Sequence, residues 1–332
     1  MSEPQTIPAD EITAGKTSAA APKVSIIVLN WNSYTVTRDC LLSLNEIDYP
    51  NYEVVLVDNG SVDGSADTLA REFPVVRMVR NASNLGFTGG NNSGLRDVLE
   101  RGTNYVLLLN NDTVVAANFL SELINVAEPD PTIGILTPKI YFAEPADRIW
   151  FAGGRYRKGH SFPQCFGMRK RDNGRYDQPR EVTFVSGCAF LVKAAVIEKI
   201  GLLDDTFFYG FEDLDWSIRA IESGFRGMYV AQSRIWHKEG YVTKKSIGKS
   251  GKDFYYARNA IVMARKHMPA PYWPLFLVSL SRYLAYRSLG YMIRGEWDRV
   301  KALARGLKAG YKTRVEKMES PVQGGSPHET GR

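Results

Sequence analysis

Short apolar runs alternate with segments of helical period along the first third of the chain. Residues 24–29 (VSIIVL) form a continuous β-branched run, which predicts a parallel strand buried on both faces. Val36, Cys40, Leu41 and Leu44 recur at helical spacing, so 35–45 is predicted helical. Residues 52–57 (YEVVLV) predict a second buried strand, 65–73 a helix, and 75–79 a short strand. The Gly/Asn-rich stretch 84–92 reads as a loop leading into a helix near 93–101, and 105–109 (YVLLL) as another strong strand. Strand and helix alternating at this spacing predict a doubly wound, mostly parallel α/β sheet.

After Pro138 the pattern loosens. Residues 143–180 are rich in Gly, Arg, Asp and Pro and read as a long loop or flap. Residues 182–192 resume as a strand, 207–224 contain a charged helix, and 226–235 return as a strand ending in Trp236-His237. Residues 250 to about 315 read as helical, a C-terminal appendage.

Ligands of such sheets bind outside the carboxyl ends of the strands. The polar motifs stand there. Asn30-Trp31-Asn32 follows the first strand, Asp58-Asn59 the second, and Asn110-Asn111-Asp112 the strand ending at Leu109.

Composition adds exclusions. At 332 residues with 44% hydrophobic and 23% charged residues, the chain can bury a large core and is not mainly disordered. Its three cysteines, Cys40, Cys165 and Cys188, are far apart, which argues against a disulfide framework and for a reducing cytosol. The formal net charge is +6, and residues 294–317, with eight Lys/Arg and three acids, carry +5 of it. The body is thus nearly neutral, and nucleic-acid binding is not expected. A local basic segment suits anionic lipid or anionic substrate. Residues 1–22 lack the basic and apolar regions of a secretory signal and read as a disordered leader, and 318–332 as a disordered tail. The apolar stretch 272–293 is interrupted by Arg282 and Arg287, which makes a spanning helix costly. An amphipathic helix lying in the membrane surface, followed by a basic helix, is one reading. Packing on the body or on a second copy of the chain is the other.

Several side chains are candidates for chemistry. Asp112, at a strand end, offers the hard oxygen that Mg²⁺ or Mn²⁺ takes; the alternative is a turn cap. His237, also leaving a strand, could supply a second ligand, although a lone histidine is more often structural. Glu212-Asp213 follows Phe207-Phe208-Tyr209-Gly210-Phe211, and such surroundings raise a carboxyl toward the pKa of a general base. Asp215 and Arg219, four apart, read as an ion pair that stabilises the helix. The glycines of 84–92 let backbone approach a diphosphate. There is no GxGxxG after the first strand, no GxxxxGK[ST] and no GxSxG, which disfavours dinucleotide binding, ATP hydrolysis and serine-hydrolase chemistry.

Seven segments in order resemble the inverting family 2 glycosyltransferases of GT-A fold: 24–32, 54–65, 84–92, 105–113, 184–192, 207–219 and 235–240. The resemblance covers about residues 22–265 and is greatest to bacterial rhamnosyltransferases of cell-surface polysaccharide synthesis. It implies a metal-dependent transfer of a sugar, L-rhamnose from dTDP-rhamnose, to a hydroxyl of a glycan or polyprenyl-linked acceptor. It implies that Asp58 reads the pyrimidine base and that Asn30 and Asn32 contact the nucleoside. Asn59, Asn84, Gly86, Asn91 and Asn111 lie on the donor side by the same comparison. Asp112 matches the last Asp of the metal motif, with Asn110 and Asn111 where many members have acids, and His237 joins it as a ligand of Mn²⁺ or Mg²⁺. The following Lys238-Glu239-Gly240-Tyr241 departs from the usual His-x-x-Gly-x-Ser, with Thr243 late. Asp213 matches the catalytic base, and Gly187, Cys188, Glu212 and Trp216 fall on the acceptor side. Cys188 is read as a small packing residue rather than a nucleophile.

The resemblance also implies a catalytic domain over 23–265, with a nucleotide-sugar half at about 23–115 and an acceptor half at about 116–265. A helical segment at 266–317 would hold the protein peripherally at the inner face of the membrane or join a homodimer. Two rivals remain: a sugar nucleotidyltransferase, which would carry a basic Gly-rich loop after the first strand, and a non-catalytic sugar-binding or membrane scaffold of the same fold.

Overall fold

Apolar, β-branched runs must pair their backbone groups wherever water is excluded. β1 (Val24–Asn30) does so at the heart of the sheet, parallel to β2 (Tyr52–Asp58) on one side and to β4 (Tyr105–Asn110) on the other. The computed structural model describes residues 21–239 and 247–315. The expected leader (but for Ala21 and Pro22), the tail at 318–332, and Gly240, Tyr241 and Thr243 lie outside the described residues. Parallel β3 (Arg77–Arg80) extends the sheet beyond β2. The register sets Asn30 opposite Asp58 and Leu29 opposite Asn110, so the polar strand ends share one edge.

α1 (Tyr34–Asn45), α2 (Ser65–Glu72) and α3 (Gly86–Glu100) connect these strands. α3 corrects the expectation of a loop at 84–92, because the helix begins at Gly86. Its glycines serve packing: a Cβ at Gly90 would strike Leu29, and one at Gly94 would strike Ile27 and Val57. The helix therefore lies closer to the sheet than any side chain allows.

β4 turns through Asn111-Asp112 into β5 (Thr113–Val115). α4 (Phe119–Ala127) leads to β6 (Ile133–Phe142). The expected loop at 143–180 carries short strands instead: β7 (Ile149–Phe151), β8 (Gly154–Arg155) and β9 (Gln164–Cys165). The buried Lys139 holds it by ion pairs to Asp172 and Asp177. The single strand expected at 182–192 is broken into β10 (Arg180–Val182) and β11 (Ala189–Lys193). Residues 183–188 leave the sheet between them, and Gly187 is in that stretch.

After α5 (Ala194–Ile200) and α6 (Glu212–Glu222) comes β12 (Arg226–His237). The strand order is β10-β12-β6-β11-β4-β1-β2-β3, with β5 on β12 and β7 on β6. Antiparallel β11 joins the parallel half, through β4, to β6 and β12, which are parallel to each other.

Three helices follow: α7 (Gly248–His267), α8 (Trp273–Ile293) and α9 (Trp297–Lys312). α9 packs on α7 through Gly306 and Gly310, where a Cβ would meet the carbonyl oxygens of Phe254 and Arg258. The buried Asp253 of α7 receives Arg287 at 2.9 Å, Arg299 at 2.6 Å and the Tyr291 hydroxyl at 2.7 Å. Arg287, which interrupts the apolar stretch in sequence, is thus an internal tie. Among the described residues no helix is long and apolar enough to cross a membrane. α8 is not one-sided: Phe276 and Leu280 are buried, while Leu275, Leu277, Val278, Leu289 and Ile293 are exposed.

Candidate active site

The strand ends open into a cleft of about 620 Å³, a size common for small-molecule sites. One wall comes from the first half of the sheet. Asn59 donates from Nδ2 to Asn84 Oδ1 and to the Gly86 carbonyl, both at 3.0 Å, and accepts from the Leu85 N–H at 3.1 Å. Asn84 in turn accepts from the Gly86 N–H at 2.9 Å. These bonds fix the entry into α3 and place Asn59, Asn84 and Gly86 in the lining, together with Trp31 and Phe87.

Behind this wall lies a buried polar brace that is not part of the lining. Asn30 donates to Asp58 at 3.2 Å and to Ser65 at 3.1 Å, and accepts from Thr37 at 2.9 Å. Thr37 also accepts from Asn111 at 2.7 Å, so the brace reaches the cleft through Asn111. Asp58 accepts from the Ser61 N–H, and Asn32, at a φ of 49°, accepts from the Val62 N–H. Asn91 is buried within α3 and donates to the Phe87 carbonyl. Asn30, Asn32, Asp58 and Asn91 therefore stand behind the cleft surface.

On the cleft floor, β5 pairs antiparallel with the end of β12, setting His237 opposite Thr113. The Lys238 N–H donates to the Asp112 carbonyl at 2.8 Å. This pairing brings His237 Nε2 to 3.0 Å from Asp112 Oδ1, with both side chains buried. Burial alone lowers the His237 pKa, but neighbouring Cys188 and the Asp112 carboxylate outweigh it and hold it well above the usual value. His237 Nδ1 is buried without a hydrogen-bond partner, and the edge of Trp150 packs on the ring.

An octahedral cation about 2.1 Å from each of two cis ligands holds them about 3 Å apart. Carboxylate oxygen and imidazole nitrogen suit Mn²⁺, so this pair would fit a divalent cation that displaces the proton from Nε2. No group of three or more His, Cys, Asp or Glu that could hold a metal occurs among the described residues.

A further wall is the start of α6, which adjoins the first where the Phe87 N–H donates to the Phe208 carbonyl at 3.1 Å. Phe211 precedes it at a φ of 77°, a left-handed conformation costly for an aromatic residue and common where function demands geometry. Asp213 accepts from the Gly187 N–H at 2.9 Å through Oδ2 and from the Leu214 N–H at 2.8 Å through Oδ1. Burial pushes its pKa up to about 6, against the lowering effect of these N–H donors. Glu212 is raised well above the usual carboxyl value, by burial first and by the neighbouring Asp213 second. Its Oε2 is buried without a partner. Burial also raises Cys188, which lines the cleft, against the lowering effect of His237.

Trp216 is not in the cleft. It is fully buried, packs at a tilt against Phe190 and donates to the Gly201 carbonyl at 3.0 Å. Facing inward on α6, it is a core side chain.

α7 holds this wall in place, which sequence reasoning missed. Asn259, fully buried, donates to the carbonyls of Tyr209 and Gly210 at 3.0 and 2.7 Å. Arg258 donates to the Thr206 carbonyl at 2.9 Å. Asp215 receives Arg219, Lys266 and His267, each at 2.7 Å. Burial would raise Asp215, yet the hydrogen bond with His267 and the charges of Arg219 and Lys266 hold it well below the usual carboxylate range. The expected pair of Asp215 with Arg219 is thus one edge of a buried network that joins α6 to α7. The available clue was an Asn inside an otherwise apolar helical stripe of Ala257, Ala260 and Ile261.

The family model "Glycosyl transferase family 2" matches residues 25–201. The chain belongs to glycosyl transferase family 2. It is 25% identical over 209 residues, 57% of this chain and 67% of the relative, to N-acetylglucosaminyl-diphospho-decaprenol L-rhamnosyltransferase of Mycobacterium tuberculosis. It is 24% identical over 257 residues, 73% of this chain and 80% of the relative, to dTDP-rhamnosyl transferase RfbF of Shigella flexneri. It is 28% identical over 66% of its length to the uncharacterised protein y4gI of Sinorhizobium fredii, but spans only 24% of that protein. Among solved structures, the mannosyltransferase PcManGT of Pyrobaculum calidifontis, in complex with GDP-Man and Mn²⁺, superposes with a TM-score of 0.53 at 18% identity. That match covers 89% of this chain and 76% of the other, and the shared architecture is the GT-A fold. The matched family segment ends at residue 201, so Asp213, His237 and α7 lie beyond it.

Replacing Asn259 removes both donors to the 209–210 turn of this glycosyltransferase. A displacement of about 1 Å at a reacting group can lower rate about 10²-fold. Asn259→Ala is expected to lower kcat about 10- to 100-fold, with nucleotide Kd unchanged. Unchanged kcat in the folded variant, or a nucleotide affinity that falls in step, would contradict a positioning role.

Proposed function

We propose that this glycosyltransferase moves L-rhamnose from dTDP-rhamnose to a hydroxyl of a glycan or lipid-linked glycan acceptor, with inversion at the anomeric carbon. The observation that carries the reading is Asp213: a carboxyl with a pKa of about 6, held by two backbone N–H groups in the cleft that Asn59 and Asp112 also line. The donor and acceptor identities draw support from the names of the mycobacterial and Shigella relatives.

Asp213 takes the proton from the acceptor hydroxyl as that oxygen attacks the anomeric carbon. The new C–O bond forms as the bond to the diphosphate oxygen breaks, and the diphosphate leaves with the electron pair. One displacement gives inversion. The nucleoside lies along the wall of Asn59, Asn84, Gly86 and Asn111, braced by Asn30, Asn32, Asp58 and Asn91. Asp112 and His237 would hold Mn²⁺ or Mg²⁺, whose chemistry is to neutralise charge on the diphosphate. Gly187, Cys188 and Glu212 form the acceptor side. The nucleotide-sugar half is about 23–115 and the acceptor half about 116–265.

The exposed apolar residues of α8, beside Arg282, Arg294 and the basic surface of α9, hold the enzyme on the anionic inner face of the membrane. Leu277→Glu with Val278→Glu is expected to abolish cosedimentation with phosphatidylglycerol vesicles. Retained binding, or a loss of dimer instead, would move this face to protein contact.

Calorimetry with dTDP-rhamnose, UDP-glucose, UDP-galactose, UDP-N-acetylglucosamine and GDP-mannose tests the donor reading. Binding of dTDP-rhamnose that needs Mn²⁺ or Mg²⁺ and vanishes in Asp112→Ala is expected; no binding of any donor by the folded protein would sink the proposal.

The base acts only when ionised, so kcat should rise through about pH 6 to a plateau. Asp213→Asn should lose about 10²–10⁴-fold in rate. Because the folded carboxyl sits above its usual value near 4, its stabilising effect is full below about pH 4 and is lost as pH rises through about 6. Asp213→Asn should therefore melt no lower than wild type at pH 8. A lower melting point, or a rate flat from pH 5 to 8, would count against this base.

A further inference from the structure

We infer that Lys249 and Lys252 of α7, with the Glu212 carboxyl between them and the reacting centre, form a diphosphate-binding site at the acceptor mouth of the cleft. The inference deepens the proposed transferase reading and rests on it.

Lys249 and Lys252 both line the cleft, and three residues apart on a helix they share a face. Neither forms an ion pair among the described residues. Other lysines of this region are taken up: Lys266 by Asp204 and Asp215, and Lys238 by Asp39. Among the described residues, the remaining charged groups of the lining are Asp112, Glu212, Asp213, Glu239 and His237. Lys249 and Lys252 are the lysines of that described lining, and they favour an anion on their side of the cleft.

Aromatic contacts fix the side of the cleft. The Lys252 ammonium lies 5.7 Å from the centre of the Tyr256 ring. Tyr256 packs edge-on against Phe211 at 5.9 Å, and Phe211 immediately precedes Glu212. Lys252 thus stands over the aromatic shelf that carries the carboxylates. Glu212 supplies an independent indication of a ligand: the residue lines the same cleft, and its Oε2 is buried without a partner. A buried polar atom left unsatisfied is costly, and a ligand hydroxyl would satisfy it. The pattern asks for a ligand with a hydroxyl at Glu212 and Asp213 and phosphate at the lysines. The first backbone N–H groups of α7 add to the field there.

A diphosphate could come from two sources: an acceptor in which sugar is linked through diphosphate to a lipid, or the nucleoside diphosphate leaving the donor. Calorimetry with farnesyl diphosphate and with dTDP, each with Mg²⁺, separates them. The proteins are wild type, Lys249→Gln with Lys252→Gln, and Lys249→Arg with Lys252→Arg. For partly exposed contacts the expected loss in the Gln variant is about tenfold in Kd, with a shallower salt dependence, and the Arg variant should retain affinity. Loss for farnesyl diphosphate alone assigns the site to the acceptor; loss for dTDP alone assigns it to the leaving group. Unchanged affinity for both probes, in a Gln variant that melts like wild type, overturns the site and leaves the transferase reading standing. Wild type that binds neither probe overturns both.

Discussion

The arrangement depends on holding two neighbouring carboxyls at the wall of one cleft. Glu212 and Asp213 are consecutive, begin a helix there, and are both raised by burial. Isolated there, each would take up a proton. The Gly187 and Leu214 N–H groups stabilise one ionised carboxylate at Asp213. Burial first, and the proximity of that charge second, raise Glu212 well above the usual carboxyl value, so the two adjacent acids differ. The break between β10 and β11 follows from this, because only backbone that has left the sheet has a free N–H to offer at Gly187.

The second pole of the cleft is a product of sheet topology. Asp112 and His237 are far apart in sequence and meet because three-residue β5 folds back on the end of β12. β12 is parallel to β6 up to the His237–Phe142 pair, with a register shift between Val230 and Arg234 on the way. α7 then ties the carboxylate wall by Asn259 and by the Asp215 network. The helical appendage is part of the site's support as well as a surface.

Much of this was legible beforehand, for a local reason. Strands 24–29, 52–57 and 105–109 declare themselves by continuous apolar runs, and the polar residues after each are placed at one edge by parallel register. Asp112, His237, Glu212 and Asp213 could be named individually. What could not be read was non-local. The glycines of 84–92 look like a loop, and only contact with Leu29 and Ile27 shows them as a helix pressed on a sheet. Trp216 looks like a cleft aromatic beside carboxylates, but on α6 it faces the core. Three-residue β5 is too short to show periodicity, and Asn259 speaks only through carbonyls about fifty residues away. The seven motifs led correctly to the family, while placement of each residue on or behind the cleft wall needed the fold.

The claim on which the account turns is that one carboxyl in the cleft is poised near neutrality. Carbon-13 NMR of protein labelled at aspartate side-chain carboxyls, compared with Asp213→Asn, measures it directly. The resonance missing from the variant should titrate near pH 6 in the free enzyme. Titration near pH 4, the value of an ordinary solvated aspartate, would contradict the account.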